Sequence, residues 1–161
     1  YEISLGLVGS EMCIRDSFEF WLKAPGEHGR AIIDDYAHHP DELKASIRSV
    51  KALYPGRKLT VVFQPHLYTR TRDFYRGFAE ALSLADEVIL IPIYPARELP
   101  IPGVESEMIL PLISGAKKEV VARENLIDTI KNRNFEILLT AGAGDIADLV
   151  PGIARACGAP V

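Results

Sequence analysis

Leu59-Thr60-Val61-Val62-Phe63 runs into Gln64-Pro65-His66-Leu67-Tyr68-Thr69-Arg70-Thr71-Arg72-Asp73. A continuous apolar run, without polar alternation, suits a strand buried on both faces of a parallel sheet, because neither face meets water. The polar stretch Gln64–Arg72 reads as a loop, and beyond it Phe74, Phe78, Ala81, Leu82 and Ala85 recur at helical spacing. Strand, polar loop and amphipathic helix form the repeating unit of an α/β domain.

The same unit recurs on both sides. Downstream, Glu87–Ile91 (EVILI) is a second buried strand, followed by a Pro-rich loop over Pro92–Gly103. Ser106 is placed to cap a short helix carrying Met108, Ile109 and Leu112. Glu119–Val121 reads as a short strand, Leu126, Ile127 and Ile130 as a helix, and Glu136–Thr140 (EILLT) as the last strand. Ala141-Gly142-Ala143-Gly144-Asp145 then leads into a helix expected from Ile146 to Ala156. Upstream, Pro40 suits a first helical position, with Asp41 and Glu42 in the first turn, where acids favour the helix dipole. Leu43, Ile47, Val50 and Tyr54 continue that helix until Pro55-Gly56 stops it. Phe18–Ala24 and Arg30–Asp34 flank the turn cluster Pro25–Gly29 and read as a hairpin. The expected fold is a Rossmann-like three-layer α/β sandwich, its sheet mostly parallel with an antiparallel N-terminal hairpin.

Composition narrows the function. The chain has 161 residues and a formal net charge of -4, without the basic excess of a nucleic-acid binder. No apolar run approaches the roughly 20 residues that span a bilayer. Cys13 and Cys157 form no metal or redox motif, so a reduced, cytoplasmic protein is expected. Tyr1–Ser17 (YEISLGLVGSEMCIRDS) lacks the features of a signal peptide and is similar to translated sequencing-adapter read-through. Residues 1–17, Cys13 included, are therefore read as non-native, and residues 18–161 as the domain.

In open α/β sheets, ligands bind beyond the carboxyl ends of the strands. Three such loops are chemically rich. Asp34-Asp35-Tyr36-Ala37-His38-His39-Pro40 carries two carboxylates, a phenol and two imidazoles. Imidazoles titrate near neutral pH and can move protons, although the same groups can simply cap the following helix. In the second loop, His66, Tyr68, Arg70 and Arg72 suggest a clamp for a carboxylate or phosphate, since guanidinium offers a fixed fork of donors. Positive groups are unfavourable at a helix start, so an anionic partner is expected, either a ligand or an internal Asp35 or Asp73. The third loop, Gly142-Ala143-Gly144-Asp145, reads first as a tight strand-to-helix connection and second as an anion cradle. G-x-x-x-x-G-K-[ST], H-E-x-x-H and G-x-S-x-G are all absent.

These stretches resemble the C-terminal domain of Mur ligases. Asp34–Glu42 is similar to the DDYxHHPxE stretch of the UDP-N-acetylmuramate–L-alanine ligases, and Phe63–Asp73 to their FQPHxYTRTRD. Tyr94–Gly103 looks like their YxAxExPIxG loop, and Gly142–Ile146 like their GAGDI. The order and spacing fit from Phe18 to about Ala156. The resemblance implies the third domain of an enzyme that uses ATP and Mg²⁺ to join L-alanine to UDP-N-acetylmuramate in peptidoglycan precursor synthesis. The N-terminal and central domains hold the sugar nucleotide, the phosphate loop and the metal, so this chain alone is expected to be inactive and to carry no metal ligand. It implies that Asp35 contacts the ATP ribose, and that Tyr36, His38, His66 and Arg70 frame the amino acid. Arg70 takes the amino acid's carboxylate, with Arg72 assisting or holding the loop, and His38 or His66 orients or deprotonates its ammonium. Many family members have Arg where this chain has Leu67, which removes one contact if that Arg touches substrate.

Two alternatives stand beside this. One is the related ligase that attaches a preformed tripeptide to the same sugar; it shares the Asp-x-Ala-His-His-Pro loop, with Phe more frequent at the position of Tyr36. The other is a stand-alone nucleotide- or amino-acid-binding module, which the missing phosphate loop fits.

Overall fold

The computed structural model describes residues 18–159. The reading of Tyr1–Ser17 as non-native falls outside them. Six strands form one sheet in the order β1-β2-β6-β3-β4-β5: β1 (Glu19–Lys23), β2 (Ala31–Asp35), β3 (Leu59–Phe63), β4 (Glu87–Leu90), β5 (Lys117–Val120) and β6 (Ile137–Ala141). β1 pairs antiparallel with β2, as the hairpin reading expected, and every other pairing is parallel.

Alternate residues of the buried strands feed two cores, because successive side chains leave a strand on opposite faces. Ile33, Val61, Phe63, Leu90 and Leu139 meet Leu43, Ile47 and Val50 of α1 (Pro40–Leu53) and Phe78 and Leu82 of α2 (Tyr68–Leu82). Ile32, Val62, Ile89 and Leu138 meet Leu126 and Ile130 of α3 (Leu126–Lys131) and Ile153 of α4 (Val150–Ala156). Helices thus cover both faces, and β3 is buried at all five positions, as its apolar run requires. No helix among the described residues is long and apolar enough to cross a membrane.

Three elements differ from the sequence reading. α2 begins at Tyr68, inside the stretch read as a loop, although its first turn holds no acid and Leu67 before it gives no side-chain cap. The missing acceptor comes from elsewhere in the chain, as described below. Ser106 does not cap a helix: its hydroxyl donates to the Ile91 carbonyl at 2.6 Å, and two short 3-10 turns, Ser106–Met108 and Leu110–Leu112, replace the helix. The expected helix from Ile146 to Ala156 is split into a 3-10 turn (Asp145–Leu149) and α4, because Pro151 has no N–H to donate and is tolerated only in a first turn.

The topology sets the site. The chain moves outward from β2 to β3, β4 and β5, then returns to lay β6 between β2 and β3. Asp35 and Phe63 both pair with Ala141, so the carboxyl ends of β2, β6 and β3 finish level. Helices α1 and α2 pack on one face and α4 on the other, and in such sheets ligands bind beyond the carboxyl ends of the strands.

Candidate functional site

Four rings from three strand-end loops line up across this edge. Tyr36 meets His38 edge-on with centroids 5.4 Å apart, and His38 meets His66 at 6.1 Å. His66 stacks on Tyr94, 5.7 Å away and tilted by only 13°. Tyr36 is exposed, while His38 and His66 are half-buried. Backbone pairing holds the loops after β3 and β4 together: Leu67 N donates to the Tyr94 carbonyl at 2.8 Å, and Tyr94 N to the Pro65 carbonyl at 2.9 Å.

The hydrogen bonds assign ring nitrogens. His38 Nδ1 lies 3.0 Å from the Tyr36 carbonyl, which can only accept, so Nδ1 carries the proton and neutral His38 offers Nε2 as an acceptor. His66 Nδ1 lies 3.0 Å from Arg70 Nη1, which can only donate, so Nδ1 accepts and neutral His66 presents an Nε2–H donor. Burial first, then the positive charge of Arg70 and the facing His38, hold His66 below its ordinary pKa, partly offset by Glu98. His66 therefore stays neutral at physiological pH, and the Arg70 contact survives there.

The remaining expected residues lie elsewhere. His39 is the N-cap of α1: its ring accepts from Asp41 N, and Glu42 accepts from the backbone amides of His38 and His39. Phe74, expected in the core stripe, is exposed and instead meets His39. Arg72 does not join Arg70. Because the helix already runs through both, residues two apart point to different sides, and Arg72 Nε pairs with Asp73 Oδ1 at 2.9 Å.

Asp35 is only 4% exposed and accepts a hydrogen bond from Ser46 Oγ of α1. Burial, reinforced by the neighbouring Asp34 and by Glu42, raises its pKa from 3.8 to about 7 despite the amides of Tyr36 and Ala37. A carboxyl raised on folding adds stability below its unfolded value, and that stability is lost as pH rises through the folded value. Asp35→Asn therefore raises the urea midpoint at about pH 8 and changes it little at about pH 4. A shift that is the same at both pH values would contradict this assignment.

The Gly-Ala-Gly-Asp turn takes its structural role. Gln64, 2% exposed, donates from Nε2 to Asp145 Oδ1 at 2.7 Å and accepts from Ile146 N at 2.9 Å, so that amide is already occupied. A Cβ on Gly144 would lie 2.5 Å from both Gln64 Oε1 and Tyr94 Cβ, which explains the glycine. Sequence reasoning missed Gln64 and Tyr94. The strand-end rule, applied to the loop after β4, would have pointed to Tyr94; for Gln64 the only signal was its place directly after β3.

Among the described residues there is no group of three or more His, Cys, Asp or Glu that could hold a metal ion.

Known proteins share this arrangement of sequence and fold. A 122-residue stretch is 57% identical to the UDP-N-acetylmuramate–L-alanine ligase of Phocaeicola vulgatus, covering 75% of this chain and 27% of that protein. A 142-residue stretch is 49% identical to the enzyme of the same name from Flavobacterium johnsoniae, covering 88% of this chain and 31% of that one. The chain thus spans less than a third of the length of these relatives. The crystal structure of the UDP-N-acetylmuramate–alanine ligase of Thermotoga maritima superposes with a TM-score of 0.64 at 29% identity, over 88% of this chain and 29% of that one. Residues 20–144 match the family described as "Mur ligase, glutamate ligase domain", and on that match the chain belongs to the Mur ligase family.

Proposed function

We propose that this chain acts as the C-terminal, amino-acid-binding domain of a cytoplasmic, ATP-dependent ligase joining L-alanine to UDP-N-acetylmuramate. Residues 18–161 form that domain, and separate N-terminal and central domains complete the enzyme. One observation carries the reading: Tyr36, His38, His66 and Arg70 meet at the edge where β2, β6 and β3 end.

Arg70 has five donors and spends one on His66, so its remaining fork is free for the amino acid's carboxylate. His66 Nε2–H adds a neutral donor beside it. His38 Nε2 is the acceptor for a proton from the ammonium, which frees the amine as a nucleophile. Tyr36 forms the exposed wall of this pocket. Holding carboxylate and amine at two fixed points orders the nucleophile, and ordering by itself lowers a barrier. Arg72, paired to its neighbour Asp73, takes no part in this clamp.

ATP supplies activation of the muramyl carboxylate in such a ligase. The sequence carries no G-x-x-x-x-G-K-[ST] stretch, and a ribose contact at Asp35 is the role that its burial supports least. The isolated chain should therefore release no phosphate from ATP.

An acceptor panel tests the proposal. Residues 18–159 are grafted in place of the matching segment of the Phocaeicola vulgatus ligase, and acceptor-dependent phosphate release is measured. L-Alanine is the expected acceptor. Turnover with L-Ala-γ-D-Glu-meso-diaminopimelate in its place would favour the recycling ligase, and turnover with neither would favour a binding module.

A further inference from the structure

Helix α2 carries Arg70, yet it starts badly. Leu67, its N-cap, has φ 72 and makes no side-chain cap, and no acid lies in the first turn. Arg70 and Arg72 add positive charge at the positive end of the helix dipole. Leu67 also occupies a region of φ that a branched side chain adopts only when its surroundings impose it. By contrast α1 has a full capping box with Asp41 and Glu42.

The Pro-rich loop after β4 supplies what is missing. Glu98, 29 residues along the chain, accepts from Thr69 N at 3.0 Å through Oε1 and from Thr69 Oγ1 at 2.5 Å through Oε2. Those two hydrogen bonds hold its carboxyl below the ordinary pKa, so it stays ionised near neutral pH. Glu98 is itself set by a turn in which its N–H donates to the Pro95 carbonyl at 2.8 Å and Ala96 has φ 52. Four residues earlier, Tyr94 stacks on His66 and pairs with the backbone on both sides of it. One loop therefore grips the site twice, through its aromatic ring and through its carboxylate.

We propose that Glu98 is a positioning residue for the amino-acid site: by gripping Thr69 it fixes the first turn of α2, and with it the Arg70–His66 pair. It touches neither group directly. The inference deepens the ligase reading above and rests on it for the identity of the ligand. A residue that only stabilised the fold would weaken every step alike; one that sets Arg70 acts on amino-acid binding alone.

The test uses the grafted ligase and the 161-residue chain in parallel. In the ligase, Glu98→Gln is expected to raise the KM for L-alanine about tenfold, with kcat and the KM for ATP nearly unchanged. Glu98→Asp, which keeps the charge on a shorter stem, recovers part of that loss. In the chain, the His66 titration midpoint followed by NMR is expected to fall in Glu98→Gln, since a nearby negative charge is removed. An unchanged alanine KM in Glu98→Gln, with the parent graft active on alanine, overturns the positioning role alone. Equal losses in kcat and in the KM for every substrate also overturn it. A parent graft with no alanine turnover overturns the ligase reading, and the inference with it.

Discussion

Arg70→Ala is expected to raise the KM for L-alanine about 100-fold in the grafted ligase, the largest kinetic effect of any single change in the domain. Among the described residues, the guanidinium is the only cation tied into the row of rings, through His66 Nδ1 at 3.0 Å. Its removal leaves an incoming carboxylate with neutral donors only. The KM for ATP should move little, because the role proposed for the Arg70–His66 pair is confined to the amino acid. Arg70→Lys should recover less than about tenfold of the loss, since a point charge cannot both hold His66 and present a fork. His66→Ala removes a neutral donor and the rest against which Arg70 lies, and a smaller rise of about tenfold is expected. Alanine kinetics unchanged in both Arg70→Ala and His66→Ala would remove the clamp.

The largest effect on stability is expected at the other end of the sheet. Glu87 is buried at 1% exposure, where β4 begins. It accepts from Arg133 and, at 3.0 Å, from Thr60 Oγ1, with Lys58 Nζ 3.5 Å away. Arg133 also donates to Glu119 of β5, so one guanidinium ties two strands to the turn after α3. Burial alone would raise the Glu87 pKa, but Arg133, Thr60 and Lys58 together hold it below its ordinary value. Removing one partner of a buried pair leaves an uncompensated charge, and Arg133→Ala should cost about 3 kcal/mol near neutral pH. Without Arg133 the carboxyl titrates higher in the folded state. The stability it contributes is then present at low pH and lost as pH rises. The difference in urea-unfolding free energy between the parent and Arg133→Ala should accordingly shrink as pH falls toward about 4. Equal midpoints at neutral pH would mean that the pair is idle.

Much of the fold was legible because burial writes itself directly into apolar patterns. The run Leu59–Phe63 gave a strand buried on both faces, and the turn Pro25–Gly29 gave the hairpin. What escaped depends on contacts between distant residues. The start of α2 was read too late because its own first turn holds no acid; the acceptor is Glu98, on another loop. That single error also grouped Arg70 with Arg72, which an extended loop would present together and a helix separates. The helix after Gly144 was read as continuous because Pro151 was passed over. Within the site, His38, His66 and Arg70 were all named from the sequence, whereas Tyr94, which completes the row, belongs to a loop given no role. The burial of Asp35 was not foreseeable from its neighbours in sequence, since its partner Ser46 sits nearly two turns into the helix that follows.

The central claim is that the ends of β2 and β3 form the amino-acid pocket of a ligase. The most direct measurement is a crystal structure of the grafted ligase with L-alanine and a non-hydrolysable ATP analogue. The alanine carboxylate is expected within hydrogen-bonding distance of the Arg70 guanidinium, with its amine turned toward His38 Nε2. An alanine bound away from Arg70, or a pocket between His38 and His66 filled by the nucleotide, would contradict the account.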